Sequence, residues 1–246
     1  MKDTTDKMLL IDGDMLVYKA ACAAEEEIRW DDDTWTLQTN MSDVKEIFEI
    51  QIETISKALK SSVLKIFFSP SHTFRHDMCP SYKGNRQHVR KPLGLKEIKE
   101  WVSNNYDSKT YPNIEADDAI GIWVTENPDD RIAVSGDKDF NTLPCTWYNH
   151  LKDELKTTSI EEADRFHLVQ SLTGDTTDGF SGLKGVGPAT ADKILKKGGA
   201  IWKTVVEAYE SKGFGEYEAL LTARLARILR TGEYNFFNNE VKLWNP

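Results

Sequence analysis

Residues 8–14 read MLLIDGD, an apolar run that ends in an aspartate, a glycine and a second aspartate. An apolar run of this length before a polar turn is typical of a buried strand. Similar runs stand at 64–68 (LKIFF) and 131–135 (RIAVS), with a shorter one at 109–111. Because helical periodicity separates these runs, the sequence predicts an α/β fold with a mostly parallel central sheet flanked by helices.

The rest of the chain is predicted to be largely helical. Residues 69–93 are the exception, because three prolines and little apolar periodicity indicate a long excursion off the sheet. Ser159 and Glu162 form the N-cap and capping-box pattern of a helix, and the tail from residue 232 has an extended or strand-like character. Helices are expected at 14–24, 42–60, 94–104, 159–171, about 200–211 and 216–229, and on both sides of the GVGP turn at 185–188.

Composition excludes several classes of protein. The 39% hydrophobic content is ordinary for a folded chain, and no run approaches the roughly 20 apolar residues of a membrane helix. Residues 1–10 lack the apolar core of a signal peptide. Cys22, Cys79 and Cys145 share no metal-type spacing, which fits thiols in a reducing compartment. We therefore expect a cytoplasmic protein with no membrane partner.

Charge is unevenly distributed along the chain. Asp and Glu outnumber Lys and Arg by 40 to 31, and the net charge of −9 argues on average against a nucleic-acid ligand. The basic residues are nevertheless concentrated in two segments, 72–96 and 182–203. Two positive regions beside an acidic pocket would suit a metal-dependent enzyme that acts on a polyanion.

Acidic side chains fall into four short groups with comparable settings. Two groups follow apolar runs, one opens a predicted helix after Pro112, and one precedes a glycine-rich stretch. Together they predict one acidic pocket for divalent metal, and all-oxygen ligation suits Mg²⁺ or Mn²⁺ better than zinc. The eight carboxylates are Asp12, Glu115, Asp117, Asp118, Asp137, Asp139, Asp175 and Asp178.

Each acidic group also has a purely structural interpretation. Asp12 and the acids after the 131–135 run could serve tight turns, although ligand sites of α/β sheets form at such strand ends. Acids at a helix start complement the helix dipole, but three within four residues repel one another unless a cation intervenes. Asp175 and Asp178 fit an Asx-type turn and a metal site equally well.

Two basic motifs are candidates for nucleic-acid binding. In GLKGVGPATADKIL (182–195), glycines would let backbone amides approach a phosphate at a helix start; the alternative is a plain helix–turn–helix with glycine caps. In SYKGNRQHVRK (81–91), an aromatic ring could stack on a frayed base while cations hold phosphate; the alternative is a solvated basic loop. The candidate residues are Tyr82, Lys83, Arg86, Arg90, Lys184, Gly185, Gly187 and Lys193.

Five motifs, in this order, resemble those of the flap-endonuclease-like 5′-nuclease superfamily: IDGD, YKGNR, EADDAIG, SGDKDF and TGDTTDGFSGLKGVGPATA. Within it the chain is most similar to the 5′→3′ exonucleases of T-odd bacteriophages, through to the ending ARILRTGEYNFF…LWNP. The resemblance covers essentially the whole chain. It implies a PIN-like nuclease core at 1–158 with a basic arch at about 70–104. It also implies a helical DNA-binding region at 159–246, with a helix–three-turn–helix element at about 171–198.

The resemblance implies roles for individual residues and two divalent metal ions. The first ion would be held by Asp12, Glu115 and Asp117 and the second by Asp137, Asp139, Asp175 and Asp178, with Asp118 adjoining both. Lys83 and Arg86 resemble a basic pair that contacts the scissile phosphate. Gly185 and Gly187 resemble glycines that, in relatives, also hold a monovalent cation such as K⁺ through neighbouring carbonyls.

We therefore predict a metal-dependent 5′→3′ exonuclease that acts on double-stranded DNA with 5′ ends and on RNA–DNA hybrids. The resemblance implies a role in phage DNA replication and primer removal, in the host cytoplasm. Relatives usually carry a further carboxylate after the second strand, where this chain has Pro70, so we expect the first ion to bind more weakly or through an extra water. The alternatives are a structure-specific flap endonuclease, a catalytically weakened DNA-end-binding protein, and a haloacid-dehalogenase-like phosphatase. The phosphatase is an alternative because IDGD and SGDKDF of this chain imitate the acidic motifs of that family.

Overall fold

The structure is a computed structural model that describes residues 6–86 and 88–246. Residues 1–5 and Gln87, which belong to the predicted nuclease core and its arch, lie outside the described residues. At the centre is a six-stranded sheet whose strands are parallel except for the last, which is antiparallel to its neighbour at one edge. In order across the sheet, the strands are β5 (Ser108–Thr110), β4 (Leu64–Phe68), β1 (Met8–Asp12), β6 (Arg131–Val134), β7 (Thr146–Asn149) and β8 (Glu154–Thr157).

Two helical layers bury the opposite faces of this sheet, which confirms the predicted α/β class. The layers are built from α1 (Gly13–Ala23), α2 (Met41–Leu59) and α4 (Leu95–Asn105) on one side and α5 (Ala116–Glu126) on the other. Successive residues of a strand point to opposite faces. Leu9 and Ile11 therefore pack with the first group of helices, whereas Leu10 packs with α5.

Two segments of the first half differ from the sequence prediction. The long excursion contains a short helix, α3 (Phe74–Met78), and a 3₁₀ turn (Gly84–Arg86). The acidic stretch after α1 forms an antiparallel hairpin of β2 (Glu25–Arg29) and β3 (Trp35–Thr39). Asp31 shapes the turn of this hairpin, because its side chain accepts hydrogen bonds from the amides of Asp33 and Thr34. Charged residues at most positions of β2 conceal the alternation that would have revealed this strand.

The second half packs four helices around a separate apolar cluster that includes Leu172, Leu195 and Val205. The predicted capping box of Ser159 and Glu162 is confirmed at the start of the first helix. Two short hairpins accompany these helices: β9 (Gly174–Asp175) with β10 (Phe180–Ser181), where a helix was expected, and β11 (Tyr234–Asn235) with β12 (Glu240–Val241) in the tail. The helices are α6 (Ile160–Thr173), α7 (Pro188–Gly198), α8 (Trp202–Glu210) and α9 (Glu216–Ala226).

Two glycines allow close approaches that position the site. A Cβ atom on Gly13 would lie 2.9 Å from the Phe67 carbonyl oxygen, and one on Gly121 would lie 2.4 Å from the Leu229 carbonyl oxygen. Gly13 thus lets α1 start directly at the end of β1 and against β4. Gly121 lets the chain after α9 pass against α5. Within the described ranges, no helix has the length and apolar character that crossing a bilayer requires.

Candidate metal centre

A cavity of about 1060 Å³ lies at the carboxyl end of β1, where parallel sheets form their ligand sites. Strands β1 and β6 are parallel neighbours, so Asp12 at the end of β1 lies beside the loop that follows β6. Six of the eight predicted carboxylates line this cavity. They are Asp12, Glu115, Asp117, Asp137, Asp139 and Asp178.

Asp12 connects strand β1 to helix α1. Its Oδ1 accepts a hydrogen bond from the Met15 amide at 3.2 Å, which caps the helix, and its Oδ2 accepts one from the Ser135 hydroxyl at 3.1 Å. Burial, followed by the nearby charge of Asp14, raises the pKa of Asp12 to about 7. Two neutral donors therefore hold the side chain in place without neutralising its charge.

Asp117 lies in the first turn of α5 and is poorly compensated. Its Oδ1 is buried and has no hydrogen-bond partner among the residues that the structure describes. Burial raises the pKa of Asp117 well above its usual value, and the charges of Asp12 and Asp137 raise it further. A buried carboxylate oxygen without a partner is unfavourable unless a proton or a cation meets it.

Asp137 and Asp139 stand at the start of the 3₁₀ turn Lys138–Thr142, which follows β6. Asp137 accepts a hydrogen bond from the Asp139 amide at 2.9 Å, and Asp139 Oδ1 accepts one from the Gln170 side chain of α6 at 2.7 Å. Burial and then the charge of Asp137 raise the pKa of Asp139 to about 7. Burial is also the main cause of the raised pKa of Asp137, to which the charge of Asp178 adds.

These four carboxylates are chemically suited to divalent cations. Within residues 6–86 and 88–246, no three Asp, Glu, His or Cys side chains converge closely enough to hold one ion as they stand. The unpartnered Asp117 oxygen and the raised pKa values nevertheless identify charge that a cation would neutralise. Carboxylate oxygens are the ligands that Mg²⁺ and Mn²⁺ prefer. The donor set therefore fits such ions.

The predicted basic pair lies against the other two carboxylates of the cavity. Lys83 Nζ is 2.7 Å from Glu115 Oε1 and 3.7 Å from Asp178 Oδ2, and Arg86 Nη2 is 2.5 Å from Asp178 Oδ1. Burial would raise the pKa of Glu115, but the charges of Arg75 and Lys83 outweigh it and lower that pKa. This side of the cavity is thus neutralised by the protein itself, unlike the wall that carries Asp117.

Tyr82 does not have the predicted role of stacking on a base. It is 2% exposed, its ring packs on Phe180, and its hydroxyl lies 3.1 Å from both Glu115 Oε2 and Asp178 Oδ2. A ring enclosed in this way has no free face for a nucleobase, so the expectation is corrected. Tyr82 instead holds two carboxylates in position relative to each other.

Asp118 points away from the cavity into a buried clamp with Arg75. Its Oδ1 accepts hydrogen bonds from Arg75 Nη2 at 2.8 Å and the Leu229 amide at 3.1 Å. Its Oδ2 accepts from Arg75 Nη1 at 2.6 Å and the Glu115 amide at 3.0 Å. Because all of these bonds occupy the carboxylate inside the protein, the prediction of Asp118 as a metal ligand is corrected. Arg75 was not predicted, since nothing distinguishes it from the other basic residues of the excursion.

Two other acids also differ from expectation. Asp175 is not part of the cavity lining and forms the Asx-type turn that was the alternative, with Oδ1 accepting from the Thr177 amide at 2.7 Å. Lys138 Nζ lies 3.3 Å from its other oxygen. Asp14, by contrast, lines the cavity although it was not predicted. The second acid of the IDGD motif was the signal that could have identified it.

The remaining nucleic-acid candidates are exposed. Lys184 and Gly187 precede α7 and Lys193 lies in its second turn. Gly185 adopts a φ of +79°, in the region that favours glycine. Open space beside Gly185 and Gly187 is compatible with the close approach of a phosphate. Arg90 Nη1 lies 2.6 Å from a carboxylate oxygen at the base of the acidic hairpin.

The fold and the acidic cavity define a nuclease of the 5′-3′ exonuclease family. Residues 7–168 match the family described as the 5′-3′ exonuclease N-terminal resolvase-like domain, and the chain belongs to this family. It is 30% identical to the exonuclease of Escherichia phage T7 and 29% identical to the exodeoxyribonuclease of Enterobacteria phage T3. Each alignment covers 97% of this chain and 93% of the relative.

A solved structure supports the fold. The bacteriophage T5 flap endonuclease, in a complex with DNA and metal ions, superposes with a TM-score of 0.66 at 14% identity. The superposition covers 89% of this chain and 88% of that one. The family match and the phage relatives confirm the predicted superfamily and nuclease class, and the superposition confirms the α/β nuclease fold with its mostly parallel sheet.

Proposed function

We propose that this chain is a divalent-metal-dependent nuclease that removes nucleotides from the 5′ ends of double-stranded DNA. The observation that carries the proposal is the wall of four mutually repelling carboxylates, one buried and three half-buried, which faces a cavity bordered by Lys83 and Arg86. The names of the phage T7 and T3 relatives support exonuclease activity on DNA. The metal ions and DNA in the T5 complex support the same cofactor class and substrate class.

Two divalent ions, Mg²⁺ or Mn²⁺, would be held by the four carboxylates together with Glu115 and Asp178. Bound there, such ions would supply electrostatic stabilisation of the negative charge that develops during phosphodiester cleavage. Four of these ligands belong to the end of β1, the first turn of α5 and the 3₁₀ turn after β6. Glu115 is the N-cap residue of α5, and Asp178 lies in the loop between β9 and β10. Strand ends and helix starts hold ligands more accurately than loops do.

Lys83 and Arg86 would contact the scissile phosphate. Burial opposes the charged form of Lys83, but Glu115 and then Asp178 outweigh it and raise the pKa of Lys83, so its ammonium is retained. Cations bound at Glu115 and Asp178 would compete for these two carboxylates. The two basic side chains would then be free to offset the charge that develops on the phosphate during cleavage.

We assign duplex binding to the helical region, with a boundary near residue 159 and a helix–three-turn–helix element at about 171–198. The exposed glycine turn before α7 and the flanking Lys184 and Lys193 support this assignment. Contacts with the phosphate backbone carry no base information. Because an RNA–DNA hybrid carries the same phosphate charge as a DNA duplex, we propose that this surface also accepts hybrids, as primer removal during phage replication would require. Carbonyls near Gly185 would hold K⁺.

The function is tested with duplexes labelled at the 5′ or the 3′ end and incubated in Mg²⁺ or in EDTA. We expect early release of the 5′ label as short products, gradual shortening of the 3′-labelled strand, and no product in EDTA. Loss of label from the 3′ end first, or equal activity in EDTA, would contradict the proposal. Internal cuts alone would favour the flap endonuclease, and end binding without product would favour the catalytically weakened protein.

The assigned duplex grip predicts a particular effect of Lys193→Ala. Removal of one phosphate contact should weaken binding about equally for all sequences and reduce the slope of log Kd against log salt by about one. Fluorescence anisotropy of two unrelated duplexes across a salt series measures this slope. Lys65→Ala is a suitable control, because Lys65 belongs to β4 and pairs with Asp107. An unchanged slope in Lys193→Ala would contradict the assignment.

A further inference from the structure

Lys99 extends from α4 into the acidic cavity and is held by three neighbours. Its Nζ is 2.8 Å from Asp14 Oδ1 and 3.1 Å from the Ser69 carbonyl oxygen, and it lies 4.8 Å from the centre of the Phe68 ring. Its side chain is 35% exposed. An ammonium with a carboxylate, a carbonyl and an aromatic face around it occupies a defined cation position.

The carboxylate that Lys99 contacts is itself fixed at the end of β4. Asp14 Oδ2 accepts a hydrogen bond from the Ser69 amide at 2.6 Å, and the Ser69 hydroxyl accepts one from the Ala116 amide at 3.0 Å. Asp14 is close enough to Asp12 for its charge to raise the pKa of Asp12. The residue after Ser69 is Pro70, which lines the cavity and offers no side-chain ligand.

We propose that Lys99 is a built-in cation of the metal centre, which neutralises Asp14 and prevents it from binding a divalent ion. This inference rests on the proposed function. At the end of β4, the Lys99 ammonium then supplies the positive charge that a divalent ion would otherwise supply to Asp14. Divalent ions are thereby directed to the proposed ligands and away from Asp14; among these ligands, Asp117 carries a buried oxygen that no side chain of the described residues contacts. Lys99 acts through Asp14 and is a positioning residue.

The two partners of this ion pair should have opposite effects on metal binding. Without the Lys99 ammonium, Asp14 presents a free carboxylate oxygen to the cavity, and the positive charge that repels incoming metal ions is lost. Without the Asp14 charge, the ammonium is unneutralised and repels incoming cations, more strongly than it would in water. A purely structural role would instead weaken binding in both variants.

The test measures Mn²⁺ binding to the full chain without DNA, by isothermal titration calorimetry at low ionic strength. Lys99→Met should bind Mn²⁺ about tenfold more tightly, or bind one additional ion, and Asp14→Asn should bind it about tenfold more weakly. Lys99→Arg, which keeps the charge, should resemble the wild-type protein. Lys96→Met removes an exposed lysine from the same helix and serves as the matched control.

The outcomes separate this inference from the function on which it rests. Unchanged or weaker Mn²⁺ binding in Lys99→Met, beside normal binding by the wild-type protein, would overturn the inference and leave the function intact. Absence of Mn²⁺ binding by the wild-type protein would contradict the metal-dependent function and the inference together. Thermal unfolding in EDTA shows whether the variants fold. If Lys99→Met does not fold, Asp14→Asn decides, because unchanged or tighter binding there overturns the inference.

Discussion

Asp117 and Asp118 are adjacent in the first turn of α5, and their surroundings are opposite. Asp117 faces the cavity with one buried oxygen that has no partner within the described chain, whereas Asp118 accepts four hydrogen bonds in the clamp with Arg75. Because neighbouring residues of a helix point in different directions, one acidic turn serves two purposes. Unpaired charge therefore marks the cavity side, while fully paired charge holds the C-terminal segment to the core.

The largest effect should follow from Asp117→Asn, which removes charge from the cavity side only. We expect the rate of exonucleolytic cleavage in Mg²⁺ to fall on the order of 10⁴-fold, because a ligand that stabilises transition-state charge is lost. The stability of the metal-free protein should be unchanged or higher, since repulsion with Asp12 and Asp137 is relieved. Steady-state kinetics and urea unfolding in EDTA measure the two effects. Wild-type activity would remove Asp117 from the proposed ligands.

On the clamp side, Arg75→Met should act on stability instead. It leaves Asp118 buried without its cation, and breaking a buried ion pair in this way costs about 3–5 kcal/mol of unfolding free energy. The control is Arg29→Met, which removes an exposed pair with Asp32 in the acidic hairpin and should have no measurable effect. Urea unfolding of both variants provides the comparison. Equal losses in the two would show that Arg75 and Asp118 do not form a clamp.

The sequence predicted the cavity side far better than the clamp side, for a physical reason. Asp12 and the acids after β6 follow apolar strands, and parallel strands bring their carboxyl ends to one edge whatever the details of packing. The direction of a side chain depends on distant partners. Arg75 meets Asp118 across 43 positions and Tyr82 meets Asp178 across 96, and no local pattern records either contact.

The fold shows the same division between local and distant information. Helix α2 and strand β4 follow from their own periodicity and appear within one residue of the predicted bounds. The hairpin of β2 and β3 was missed because its stability depends on cross-strand pairing between charged segments. Residues 227–229 were wrongly predicted as the end of the 216–229 helix, which stops at Ala226. The Leu229 amide bonds instead to Asp118, 111 positions away, and no local pattern records that partner.

The cavity side should also make the metal-free protein sensitive to pH. Asp12 and Asp139 have pKa values of about 7 in the folded protein, raised from the ordinary 3.8 that applies when the chain is unfolded. The folded state therefore binds more protons than the unfolded chain does. The stabilisation that results from this proton binding is complete below about pH 4 and is lost as pH rises through 7.

Between pH 6.5 and 8.5 we expect unfolding free energy in EDTA to fall by about 1–2 kcal/mol. Saturating Mg²⁺ should remove the dependence, and Asp12→Asn should reduce it. His167 has a pKa lowered to about 3 by burial and destabilises the fold only below about pH 6.5, so it does not disturb this window. A metal-free protein that becomes more stable across the window would contradict the assigned repulsion.

The smallest effect should come from Tyr82→Phe, at the point where the two sides meet. Tyr82 contacts Glu115, whose amide belongs to the clamp, and Asp178, which lines the cavity. Loss of the hydroxyl keeps the packing on Phe180 and should reduce unfolding free energy by about 0.5–1.5 kcal/mol, with no change in Kd for a duplex. If Tyr82 stacked on a base, Tyr82→Ala would bind a duplex more weakly than Tyr82→Phe, even when both variants are compared at the same folded fraction. If the ring is enclosed, Tyr82→Ala should lose stability but show no separate loss of duplex affinity.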